Sequence, residues 1–118
     1  MPVQIESEAD DIYVLRISGL LKQSEFSGEQ SVLARKIDSG SKPRLLFVLE
    51  NFNGWERGVD WGKDLDFLHS GKISKIAIVG APRWETLALA FAGAGVRSAP
   101  VKFFPANELD PARRWLAE

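Results

Sequence analysis

The chain has 118 residues, 15 Lys+Arg against 16 Asp+Glu, one His and no Cys. This length is expected to form one domain over residues 1–118, with a core that needs no metal or disulfide staple. A formal net charge of −1 excludes a strongly basic nucleic-acid footprint and a polybasic anchor, and the lack of Cys excludes thiol nucleophiles and thiolate metal sites.

Two apolar stretches, Val3–Ile5 and Ile12–Ile17, flank the acidic Ser7-Glu8-Ala9-Asp10-Asp11. In the second, Tyr13, Leu15 and Ile17 alternate with Ile12, Val14 and Arg16, the period of a half-buried strand. The pair therefore reads as a hairpin whose second strand ends at Gly19. Phe26, Gln30, Leu33, Ala34 and Ile37 then recur at helical spacing. Ser24 or Ser27 is the expected cap, Ser27 standing at capping-box distance from Gln30, and Gly40 is the expected stop.

Leu45-Leu46-Phe47-Val48-Leu49 is an uninterrupted apolar run, as in a central strand buried on both faces. Glu50–Gly58, with its glycines and aromatics, reads as a loop. Trp61, Leu65 and Leu68 mark a second helix closed by Gly71, and Ile73–Gly80 forms another buried strand. Pro82 suits the first turn of a third helix, with a stripe of Trp84, Leu87, Ala88 and Phe91 and an end at Gly93-Ala94-Gly95. Val96–Phe104 is a last strand, which Pro100 assigns to a sheet edge. Asn107 or Asp110 caps a closing helix carrying Leu109, Ala112, Trp115 and Leu116.

The predicted order is ββαβαβαβα: an α/β fold with an N-terminal hairpin, a five-stranded mostly parallel sheet and about four helices. Leu45–Leu49 and Ile76–Val79 should be central and parallel. Sheets of this kind bind ligands beyond the carboxyl ends of their strands. Here that edge comprises Asn51–Arg57, Gly80–Trp84 and Pro105–Glu108.

Leu45–Leu49, Phe52-Asn53-Gly54-Trp55, Trp61, Asp64-Leu65, Ile76–Gly80, Arg83-Trp84-Glu85 and Phe103–Leu116, in this order, resemble the SpoIIAA-like family, relatives of the STAS domain. The likeness covers nearly the whole chain. It implies a small fold wound as a βα superhelix, and a regulatory or ligand-binding module without catalytic residues. Relatives have been regarded as apolar-ligand or membrane-associating proteins. Phospho-switched members carry an Asp-Ser pair at the start of the second helix, where this chain has Glu56, Arg57 and Gly58. No Ser or Thr occurs from Phe52 through His69, so the anti-sigma role does not carry over.

The remaining chemistry is thin. His69 has Asp66 three residues upstream, but a hydrolase needs a convergent nucleophile, and a histidine near a helix end simply suits the dipole. Asp60, Asp64 and Asp66 read as a solvated helix face. Gly80-Ala81-Pro82-Arg83 opens a helix where an anion could sit, without any nucleotide motif. No catalytic residue, metal site or cofactor is expected.

The tryptophans carry most information. Phe52, Trp55, Trp61 and Trp84 converge on the predicted carboxyl edge, with Arg57, Arg83 and Asn53 as polar neighbours. The plain reading is seam packing between the second and third helices. The functional reading is a Trp-rich groove between those helices that binds an apolar small molecule, a lipid or a membrane surface, with an Arg holding an anionic head. The alternative is a regulatory adaptor acting through a homodimer or a partner's helix. No nucleic-acid partner and no transmembrane segment are expected, because no apolar run reaches the ~18–20 residues of a span. The acidic start Met1–Asp11 lacks the form of a secretory leader, so the expected location is cytoplasmic, with peripheral membrane attachment as an extension.

Overall fold

Strands β1 (Val3–Ser7) and β2 (Ile12–Leu21) pair antiparallel, Val3 opposite Ile17 and Ser7 opposite Tyr13. The computed structural model in which this hairpin is seen describes residues 3–8, 11–37, 43–59, 61, 73–93 and 100–118. Strands β3 (Arg44–Trp55), β4 (Lys75–Gly80) and β5 (Val101–Pro105) add to β2 in chain order, each parallel to its predecessor. Leu45–Leu49 and Ile76–Val79 thus lie in interior strands, as their unbroken apolar character requires. β5 starts after Pro100, at the sheet edge where a missing N–H is tolerated.

Helices cover both faces. Phe26 and Leu33 of α1 (Gln23–Ile37) and Ala88 and Ala92 of α2 (Glu85–Ala92) pack with Tyr13, Leu15, Leu45, Phe47, Ile76 and Ile78. The alternate residues Ile12, Val14, Leu46, Val48, Ala77 and Val79 pack with Phe104 and with Ala112 and Leu116 of α3 (Leu109–Ala117). Arg113 of α3 also pairs with Glu8 beyond β1, at 2.8 Å. Lys75 donates to the Trp115 carbonyl in the last turn of that helix, where a cation suits the helix dipole.

Several expectations need correction. β2 is not half-buried over its first half: Ile12 and Val14 pack with α3, and its second face reaches solvent only from Arg16 onward. Gly19 does not end the strand. It takes φ +65° at a shift in register, and pairing with β3 resumes at Leu21, the behaviour of a bulge. Helix α1 begins at Gln23, so Ser24 and Ser27 lie inside it and neither is its cap. The predicted loop Glu50–Gly58 is strand as far as Trp55. The third predicted helix is a 3₁₀ turn, Pro82–Trp84, leading into α2, and Leu87 of its stripe is 54% exposed. The cap position of α3 is Glu108, without a side-chain cap bond, rather than Asn107 or Asp110. Gly40, Asp60, Asp64, Leu65, Asp66, Phe67, Leu68, His69, Gly71, Ala94, Gly95 and residues 96–99 lie outside the described residues, and with them most of the predicted second helix.

Candidate functional site

The site begins where β3 stops behaving as a regular strand. Asn51 takes φ +50° and Gly54 φ +103°, so the segment after Leu49 coils over the carboxyl end of the sheet. Phe52 is buried there, and Trp55 is half-buried. Gly54 is required twice over. Its φ is one that side chains rarely adopt, and a Cβ would stand 3.3 Å from the Trp84 ring.

Trp84 reaches this point from β4. Pro82 sets the first turn after the strand, and the short 3₁₀ segment brings the indole over Gly54. Its ring meets Phe52 at 5.1 Å and Trp55 at 6.1 Å, both edge to face. Phe91 of α2 packs against Trp55 and Trp61, each at 5.5 Å, and Phe26 of α1 meets Trp61 at 6.1 Å. The four aromatic residues singled out in the sequence thus form one cluster, joined through Phe26 and Phe91. Such contacts contribute ~0.5–1.5 kcal/mol each beyond burial.

The cluster does not close over itself. An open groove of ≈ 800 Å³ runs between β3's coiled end and α2, walled by Trp55, Trp61, Trp84 and Phe91 and rimmed by Leu20 and Leu87. Beneath Trp55 lies a separate apolar cavity of ≈ 20 Å³, lined by Phe47, Ile78 and Ala88 among others. Trp55 borders both spaces, and its buried Nε1 has no acceptor among the described residues. Of the predicted polar neighbours, Asn53 and Arg57 line the groove. Arg83 does not, its guanidinium lying 5.2 Å from the centre of the Trp84 ring.

Glu56 has a role that residue-by-residue reading missed. Its N–H donates to the Leu21 carbonyl at 2.9 Å, and its carboxylate accepts the Gln23 N–H at 3.0 Å, capping α1. Its own carbonyl accepts the Trp61 indole N–H at 3.2 Å. One residue therefore ties the end of β2, the start of α1 and a wall of the groove. Its partners in β2 and α1 lie more than 30 residues away along the chain, so no local pattern could reveal it. Among the described residues no group of three or more His, Cys, Asp or Glu is placed to hold a metal, and no helix is long and apolar enough to cross a membrane.

A hairpin-led, mostly parallel sheet with helices on both faces makes this a small α/β fold, with an aromatic groove beyond its carboxyl edge. The chain belongs to the SpoIIAA-like family, whose model matches residues 12–117. A solved structure, that of an uncharacterised protein of the DUF3478 family with a SpoIIAA-like fold from Shewanella loihica PV-4, is similar with a TM-score of 0.68. The match has 19% identity and covers 97% of this chain and 91% of that one. No curated protein matches the chain.

Proposed function

We propose that this chain is a non-enzymatic binding module that takes an apolar small molecule into the groove between β3's coiled end and α2. One observation carries the reading. Leu20 and Leu87 are 42% and 54% exposed, and both line the mouth of a groove whose walls are aromatic. Scattered exposed leucines need no explanation, but contiguous apolar surface beside a concave aromatic wall is the make-up of a ligand site. The volume falls within the range of ~300–1,000 Å³ usual for such sites. A cytoplasmic location and an absence of catalysis belong to the same proposal.

A neutral fluorescent probe, N-phenyl-1-naphthylamine, tests it. Saturable binding with quenching of tryptophan emission is expected for the natural sequence. Leu87→Asp should abolish that binding without unfolding the protein, because Leu87 already faces water. Absence of saturable binding, or binding unchanged in Leu87→Asp, would remove the groove reading.

A further inference from the structure

We infer that the groove selects an organic anion, an apolar body ending in a single carboxylate or phosphate, and that Arg57 is the residue that recognises the charge. This rests on the groove reading above and adds the chemical class of its ligand.

Arg57 carries a charge on the groove wall that no carboxylate pairs among the described residues. Arg57 lines the groove, is exposed, and has no ion pair or hydrogen bond among the described residues. Arg16 and Arg113, by contrast, hold carboxylates, Glu50 at 3.1 Å and Glu8 at 2.8 Å. The adjacent carboxylate, Glu56, also lines the groove but is engaged by the Gln23 N–H at the start of α1. The second guanidinium, Arg83, lies 5.2 Å from the centre of the Trp84 ring and is not among the residues lining the groove, which leaves Arg57 as its cation. Asn53 adds an amide to the same wall. Unpaired arginines in open water mean little. An unpaired arginine on the wall of an apolar groove meets a ligand partly out of water, where a charge-assisted bond is strongest.

The occupant that fits is a free amphiphile with its chain along the tryptophans and its head at Arg57. A cationic head is disfavoured by the guanidinium, and a neutral one leaves the charge unused.

Displacement of N-phenyl-1-naphthylamine by three ten-carbon-chain compounds, each kept below its micelle or solubility limit, decides the matter. Decanoate should displace the probe at a concentration roughly tenfold lower than decan-1-ol, the size of one charge-assisted bond, and decyltrimethylammonium should be the weakest. Arg57→Gln should remove decanoate's advantage over decan-1-ol, both measured against the variant's own probe affinity, with far-UV circular dichroism unchanged. Equal displacement by decanoate and decanol, or an advantage that survives Arg57→Gln, would overturn this inference and leave the groove reading standing. Failure of the probe itself to bind would overturn both. Co-sedimentation with phosphatidylglycerol vesicles without displacement by decanoate, or a concentration-dependent tryptophan shift without any amphiphile, would also overturn it, in favour of a membrane or a second copy.

Discussion

The two faces of the sheet are made by alternate residues of the same strands, yet they are finished differently. Under α3 the surface is sealed: Ile12, Val14, Leu46, Val48, Ala77, Val79, Phe104, Ala112 and Leu116 are all 8% exposed or less. On the opposite face the aliphatic centre is equally well buried, but at the carboxyl edge it gives way to aromatic residues that stay half-open to water. A fold needs the first arrangement. The second leaves apolar area and ring faces unused, and it is there, away from the sealed core, that the proposed binding falls.

Substitutions should separate the regions by size of effect. The largest loss is expected on the sealed face. Leu116→Ala should destabilise by ~2–5 kcal/mol in urea unfolding, as deletion of a fully buried leucine does, and should leave probe affinity unchanged in the folded protein. Loss of affinity would show that the faces are coupled.

Gly54→Ala comes next, at the junction of fold and groove. An alanine there must adopt φ +103° and meet Trp84 at 3.3 Å, so ~1–3 kcal/mol of destabilisation is expected, with a change in tryptophan emission as the indole shifts. An unperturbed spectrum would place the strain elsewhere.

Glu56→Ala should be smaller, ~0.5–2 kcal/mol, the cost of losing a helix cap. Glu56→Gln keeps an acceptor oxygen for the Gln23 N–H and should recover most of that loss. Equal effects of the two variants would mean that the carboxylate charge, rather than the capping geometry, matters. The smallest effect is expected at the rim, where Leu87→Ser should change stability by less than ~0.5 kcal/mol yet weaken probe binding.

The same contrast explains what could be read in advance. The interior strands were legible because burial on both faces leaves an unbroken apolar run, Leu45–Leu49, that few other elements produce. The coiled end of β3 was not, since Asn51, Asn53 and Gly54 are turn formers, and here they bend a strand that keeps pairing with Gly19 and Leu21 across a bulge. Leu87 looked like core because it lies three residues from Trp84. Ala88 and Ala92 instead define the buried line of α2, which turns Leu87 outward. The convergence of Phe52, Trp55, Trp61 and Trp84 was legible from the strand–helix order, because that order sends each to the carboxyl edge. Whether the rings would meet closed or open was not, because it depends on how α2 lies against β3's end.

The most direct test of the division between fold and groove is the double variant Trp61→Ala/Trp84→Ala, measured for both unfolding free energy and probe binding. Both rings are only partly buried, so the stability loss should stay below the ~3–5 kcal/mol typical of one fully buried tryptophan, with the sheet intact by circular dichroism and probe binding abolished. A core-sized loss of stability with probe binding unchanged would show that the rings are packing, and that the open edge is not a site.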